Sequence, residues 1–395
     1  MHTVGIICEY NPLHTGHAYL LERVREAETV ICLMSGVFTQ RGEAALLPPR
    51  YRAEMAIRAG ADLVLELPYP FAAASAEHFA TAGVRALSAL GADTLAFGSE
   101  RADKSALARA AALTLTPEFA KKVANVAENT GDAAAYFAAL GENLGANDIL
   151  ALAYTRAILA ENIPMEISPV LRRGAGYHDS DAEAAYPSAT ALRAALARGE
   201  DITDKLPACV REVWQRALAA GHAPADTAAL GAVLLAELRR GAQSPTTGGE
   251  IRYSAIAECE GGLGAHLARA AGEATDYTSL CRAAATKRYT DARIRRALLY
   301  ILTGVTREDL VAPPAYLRLL GASERGREYL AKTRKSRTVP VVTKPADIAA
   351  LGESAARARA LSALAEGLYG LCTPTPLLPH ALATAAPFFY RREGH

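Results

Sequence analysis

The sequence predicts an α/β protein: a Rossmann-like, doubly wound parallel sheet of the nucleotide-binding kind, followed by a mostly α-helical C-terminal segment. Two observations carry this. Short, almost wholly apolar runs alternate with helical stretches through the first 200 residues, and from roughly residue 200 that strand pattern gives way to Ala-, Leu- and Arg-rich helical periodicity. Strands that are apolar at every position need cover on both faces, as in a parallel sheet between two helical layers.

Each element follows in order. "TVGIIC" (Thr3 to Cys8), "TVICLMS" (Thr29 to Ser35), "DLVLELP" (Asp62 to Pro68) and "TLAFGS" (Thr94 to Ser99) read as buried strands. "GHAYLLERVREA" and "SAEHFATAGVRALSAL" are the helices between them, and "MEISPVL" (Met165 to Leu171) is a fifth strand after the helix "DILALAYTRAIL". In the second half "GAQSPTTGGE" (241–250) reads as a loop, "TKRYTDARIRRALLYILTGV" as an amphipathic helix and "TVPVVT" (338–343) as a short strand. Ligands of such a sheet sit beyond the carboxyl ends of its strands.

The chain has 395 residues, and its expected division is 1–200 for the sheet and 201–395 for the helical part. With 51% hydrophobic and 22% charged residues it has a globular composition, and a net charge of +1 makes any nucleic-acid surface local. Six cysteines without a CxxC pair suggest reduced, mostly buried thiols, with neither a disulfide framework nor a zinc site. No basic-then-apolar segment opens the sequence and no apolar run approaches about 18 residues, so a cytoplasmic protein without a membrane segment is expected.

The stretch "CEYNPLHTGHAYLLERV" spends two histidines, a proline and a glycine on the turn from strand one into a helix beginning near Thr15 or Gly16. A helix N-terminus offers N–H groups and the positive end of the dipole to a phosphate. His14 and His17 project to one side of that start, and Gly16 clears space for a nucleotide. An isolated HxGH string is more often a cap beside a packing residue; its place after the first strand turns the reading toward phosphate. Two imidazoles there can stabilise charge that develops as pyrophosphate leaves. No cluster of His, Cys and carboxylates has metal-site spacing, so the metal expected is Mg²⁺ arriving with ATP.

"HTGH" resembles the HIGH signature of the nucleotidyltransferase superfamily, and "PSATALR" resembles its second signature, with Ser188, Thr190 and Arg193 at the chemical positions. Alone, "SATALR" is usually just an N-capped helix; paired with HxGH it becomes a site for the β- and γ-phosphates. "VGIICEYNPLHTGH", "MSGVFTQRGEAAL", "GADLVLELPYPFAAASAEHFA", "FGSE", "LRRGAGYHD" and "TKRYTDARIRRALLYILTG" run in the order seen in the tRNA(Met) cytidine acetate ligase family. The chain is similar to that family over nearly its whole length. It departs at Val37, where the family has Asn in "SGNF", and at Leu192, where the second signature usually has Ile.

The resemblance implies ATP-dependent activation of acetate to acetyl-adenylate, then transfer to the wobble cytidine of elongator tRNA(Met), giving N4-acetylcytidine and AMP. It assigns catalysis to His14, His17, Ser188, Thr190 and Arg193. ATP contacts fall on the run Ile7, Cys8, Glu9, Tyr10, Asn11, Pro12, Leu13, His14, Thr15, Gly16, His17, Ala18, Tyr19 and Leu20, and on Gly98, Asn147, Arg172 and Arg173. Asn147 also reads as a helix N-cap, and Gly98 as a plain strand-to-helix turn. His178 and Asp179 belong to an expected loop over the nucleotide, and His78 to structure.

Gly36, Gln40 and Arg41 are expected to bind the second substrate; Arg41 suits a carboxylate or phosphate, against a salt bridge to Glu43. Lys287, Arg288, Arg293, Arg295 and Arg296, with Tyr289 as a stacking residue, form an expected tRNA contact, joined by a second basic cluster at Lys332, Arg334, Lys335 and Arg337. Two rival functions use the same residues: a small-molecule cofactor nucleotidyltransferase, and a non-catalytic RNA-binding protein that keeps a nucleotide site.

Overall fold

The computed structural model describes residues 2–130, 132–141, 144–173, 186–242 and 253–390. Strands β1 (Thr3–Cys8), β2 (Thr29–Ser35), β3 (Leu63–Leu67), β4 (Thr94–Ser99) and β5 (Glu166–Leu171) lie where the apolar runs put them. They pair in parallel in the order β5-β4-β1-β2-β3, with Thr3 opposite Thr29 and Cys8 opposite Met34.

The sheet is covered on both faces. Ile7, Ile31, Leu33, Leu65 and Phe97 face one apolar cluster, while Val4, Ile6, Cys8, Val30, Cys32 and Met34 face the other. This alternation within wholly apolar strands is the doubly wound arrangement. Helix α3 (Ala76–Leu90) approaches β1 so closely that a Cβ on Gly83 would sit 2.5 Å from Ile7 Cδ1. Helices α1 (Thr15–Arg23) and α2 (Pro49–Arg58) cover the opposite face, where they share the second cluster.

The sheet does not stop at residue 200. β6 (Leu317–Ala322) adds antiparallel to β3, and β7 (Val341–Val342) and β8 (Phe388–Phe389) pair with β6. β7 lies in the expected "TVPVVT"; β6 and β8 were not legible, because "LRLLGA" matches the Leu/Ala-rich helical background around it. One buried cluster runs from Ile7 to Leu382, so both halves of the chain share a core.

The helix Asp291–Thr303 docks at the carboxyl edge of the strands. Its Tyr300 hydroxyl donates to the Ala73 carbonyl at 2.9 Å, and Thr303 bonds the Tyr69 hydroxyl at 2.8 Å, both partners lying just beyond β3. At the opposite edge, the Ser323 amide donates to the Asp62 carbonyl and the Tyr329 hydroxyl to the Leu90 carbonyl. These bonds fix the helix Glu324–Lys332, and with it the second basic cluster, below the amino ends of the strands. No helix among the described residues is long and apolar enough to cross a membrane.

Candidate active site

The chain leaves β1 through Tyr10, whose φ of 49° turns it sharply. Asn11 secures the turn by accepting the Leu46 amide on Oδ1 at 2.7 Å. His14 is then the N-cap of α1: its Nδ1 accepts the Gly16 amide at 3.0 Å, and the His17 Nδ1 reciprocates by accepting the His14 amide at 3.4 Å. The two rings stack with centroids 3.7 Å apart, and Tyr10 meets His17 edge-on at 5.1 Å. Each Nδ1 is an acceptor, so in the neutral ring the proton sits on Nε2.

Both imidazoles are held neutral. Burial pushes His14 well below its ordinary value, helped by His17, Arg172 and Arg193. His17 is pushed down to about 3 by burial first and then by the Arg172 and Arg193 cations, against the Pro12 carbonyl. The fixed charge beside the two rings therefore comes from the Arg172 and Arg193 guanidinium groups, and each neutral ring carries a single N–H.

Ser188 caps the helix Ala189–Ala197, accepting the Ala191 amide on its hydroxyl at 3.0 Å. From the second turn of that helix Arg193 reaches across to the turn after β1: its guanidinium donates to the Asn11 carbonyl at 2.9 Å and to Thr190 Oγ1 at 3.3 Å. Two residue runs some 180 positions apart in sequence thus present their helix N-termini to one place. Leu192 is buried in the core, a tolerant position for its departure from Ile.

Arg172, just beyond β5, donates to Asn147 Oδ1 at 3.3 Å, and its Cγ would meet a Cβ on Gly98 at 3.3 Å. Gly98 thus lies beneath Arg172, where bulk would push the guanidinium away. Asn147 is not the N-cap expected of it: Gly145 takes that position without a side-chain bond. The Glu100 carboxylate does the capping instead, accepting the amides of Asn147 at 3.2 Å and Asp148 at 2.7 Å and the Asn147 side-chain amide at 2.6 Å. Arg173 stacks on Tyr19, 4.6 Å above the ring. His178 and Asp179 lie outside the described residues.

In the expected ATP run the side chains of Ile7, Cys8, Tyr10, Leu13 and Leu20 belong to the core clusters, where they support the turn. Glu9 faces the site edge, accepts the Gln40 amide on Oε1 at 2.7 Å, and has its carboxyl pushed up by burial. Beneath it Arg52, missed from the sequence, is fully buried. It donates to the carbonyls of Glu9 at 2.7 Å, Ser35 and Leu47 at 3.0 Å, and Gly36, lashing the ends of β1 and β2 together. The signal was present: an arginine shares the i, i+3, i+4 face of α2 with the buried Met55 and Ala56.

Gly36 leaves β2 with no room for a side chain, since a Cβ there would collide with the Glu66 carboxylate. Val37 is buried among apolar neighbours, so this chain fills with packing the position where the family carries Asn. The following loop closes with Phe38 bridged to Ala44 and carries Gln40 and Arg41 at the carboxyl edge. Glu43, weighed from the sequence as a partner of Arg41, pairs with Arg295 at 2.8 Å and also acts on the Arg41 charge.

The expected tRNA contact is reorganised. Arg296 is buried and bonds Glu258 at 2.8 Å; Arg293 reaches the Glu258 and Glu260 carbonyls and lies 5.5 Å over Tyr289. Tyr289 is itself buried, donating to the Gly261 carbonyl at 2.6 Å, and presents no open face for stacking a base. Carboxylates remote in sequence thus draw Arg293, Arg295 and Arg296 inward, while Lys287 and Arg288 stay exposed. His78 lies half-buried in α3. Among the described residues no group of three or more His, Cys, Asp or Glu side chains is arranged to hold a metal ion.

Comparison with known proteins gives the family. Residues 1–379 match the family model described as HIGH Nucleotidyl Transferase. The tRNA(Met) cytidine acetate ligase of Syntrophotalea carbinolica is 40% identical over 370 residues, covering 87% of this chain and 85% of the relative. That of Limosilactobacillus reuteri is 33% identical, covering 87% and 90%. The crystal structure of Thermotoga maritima TmcAL without ligand superposes with a TM-score of 0.90 at 28% identity, covering 98% of this chain and 99% of that one. The form solved with alpha-thio ATP bound gives 0.87 at the same identity and coverage. A family model over nearly the whole chain and curated relatives at 33–40% identity agree: the chain belongs to the tRNA(Met) cytidine acetate ligase family of HIGH nucleotidyl transferases.

Proposed function

We propose that the protein activates acetate with ATP and acetylates the wobble cytidine of elongator tRNA(Met). The observation that carries the reading is the bond from Arg193 to the Asn11 carbonyl, which joins two anion-binding helix starts into one site.

An acetate oxygen attacks the α-phosphorus and pyrophosphate departs, leaving acetyl-adenylate. His14 and His17 donate N–H groups to the phosphate chain, while Ser188, Thr190 and Arg193 hold the β- and γ-phosphates as charge moves onto them. Gly98, Asn147 and Arg172 border the adenosine, and Arg173 with Tyr19 walls the same side. Mg²⁺ enters as part of the MgATP substrate, held largely by phosphate and water. Gly36, Gln40 and Arg41 take the carboxylate, with Arg41 as its counter-ion. The exocyclic amine of the cytidine then attacks the acyl carbon, AMP leaves, and the N–C bond of N4-acetylcytidine remains. Residues 201–395 hold the tRNA, with the exposed Lys287 and Arg288 on its phosphates, and the tRNA substrate makes the cytoplasm the site of action.

The test is pyrophosphate release from ATP with and without acetate, followed by mass spectrometry of digested tRNA(Met) from the same reaction. Acetate-dependent release with an acetyl gain on cytidine supports the proposal. Release that ignores acetate but follows a phosphorylated small molecule means a cofactor nucleotidyltransferase; tRNA binding without release means an RNA-binding protein.

A further inference from the structure

We infer that Arg295 and Arg296 are positioning residues for the acid-binding loop, holding the Gln40–Arg41 peptide from the helix Asp291–Thr303. The inference rests on the proposed role of Gln40 and Arg41. Its geometry stands apart from that role.

The loop is gripped from two sides. On the strand side, the Glu9 carboxylate accepts the Gln40 amide at 2.7 Å. On the helix side, the Arg296 guanidinium reaches the Gln40 carbonyl at 3.5 Å while its Nε is anchored on Glu258 at 2.8 Å. Both polar ends of residue 40 are thus engaged, one by β1 and one by a helix some 250 residues later. Two residues on, Gly42 has a φ of 72° and lies against the helix backbone: a Cβ there would come within 2.6 Å of the Arg296 nitrogen and 2.7 Å of the Arg295 carbonyl carbon. Arg295 completes the latch on Glu43 at 2.8 Å, with both side chains about three-quarters covered.

The latch also sets the charge around Arg41. Burial, then the Arg193 and Arg295 cations, disfavour the Arg41 charge, whereas Glu9 and Glu43 favour it. Removing Arg295 takes away the partner that Glu43 holds at 2.8 Å, and the Glu43 carboxylate then acts on Arg41 unopposed by that guanidinium. Arg41 then loses pull on an incoming carboxylate at the same time as the loop loses its anchor. Both effects weaken capture of the acid, and neither touches the triphosphate side of the site.

The experiment uses the full chain and follows pyrophosphate release while acetate and ATP are varied separately, with tRNA(Met) affinity measured alongside. Arg295→Ala is expected to raise the acetate KM about ten-fold while the ATP KM and the tRNA Kd move less than about two-fold. Arg295→Lys recovers most of the loss, and Glu43→Gln, which breaks the same pair from the loop side, raises the acetate KM in the same way. A weakened tRNA Kd with an unchanged acetate KM would make Arg295 a tRNA contact and overturn the inference. So would an equal fall in kcat at constant KM values, which marks general loosening. Wild-type protein that ignores acetate would defeat the functional reading itself, and the inference with it.

Discussion

Arg193→Met is the most informative single substitution. It removes a guanidinium that donates to the Asn11 carbonyl at 2.9 Å and to Thr190 Oγ1 at 3.3 Å, while keeping the length and bulk of the stem. The charged hydrogen bond between the two helix starts is worth about 1.5–3 kcal/mol, and loss of a cation from the departing pyrophosphate adds to it. A combined loss of about 3–4 kcal/mol in the transition state lowers kcat/KM for ATP by about 10²–10³. Arg193→Lys keeps the charge but not the two-pronged geometry, so it falls between, at about ten-fold. Arg193 is also one of the cations holding His17 down, so in Arg193→Met the His17 ring titrates at a higher pH. The assay is acetate-dependent pyrophosphate release, with ring titration followed by NMR. A folded Arg193→Met enzyme within about three-fold of wild type would refute the view that the two signatures act as one site.

Other expectations follow from the same contacts. Folded His17 is held to about 3 against an ordinary 6.5, so the unfolded chain binds the extra proton between those values and stability falls with acid across that window. His17→Gln lessens that loss, by at most about 1.4 kcal/mol per pH unit, and a variant whose urea midpoint falls as steeply as wild type's would contradict it. Gly36→Ala drives a Cβ into the Glu66 carboxylate and should lower acetate-dependent turnover at least about ten-fold at matched protein, through displacement of the β2 terminus; near-normal turnover would mean that the terminus can give way. Replacing Lys287 and Arg288 together by Ala should raise the tRNA KM about ten-fold and flatten its salt dependence by about two counterions; an unchanged salt slope would remove them from the RNA surface.

What the sequence disclosed was what local physics governs. The five parallel strands were legible because burial on both faces leaves an apolar run, and the start of α1 because capping depends on neighbours two or three positions away. Ser188 and Arg193 were legible as a signature, yet the reach of Arg193 to Asn11 needed the fold. What stayed hidden depends on partners distant in sequence. Arg296 reads as solvated beside Arg295 until Glu258 and the Gln40 carbonyl are brought to it, and Tyr289 reads as a platform until Gly261 covers its hydroxyl. Asn147 had the chemistry of a cap, but Glu100, at the end of another strand, reached the helix amides first. The antiparallel β6 carried no pattern distinct from its helical surroundings, and pairing with β3 decided its conformation.

The most direct test of the account follows one atom. If acetate attacks the α-phosphorus and the cytidine amine later attacks the acyl carbon, the bridging oxygen of acetyl-adenylate stays with the nucleotide. Reaction of unlabelled ATP with acetate labelled in both oxygens by oxygen-18, in the presence of tRNA(Met), is predicted to yield AMP carrying a single heavy oxygen and tRNA bearing acetylcytidine. Unlabelled AMP, or ADP and phosphate as products, would contradict acyl-adenylation at this site.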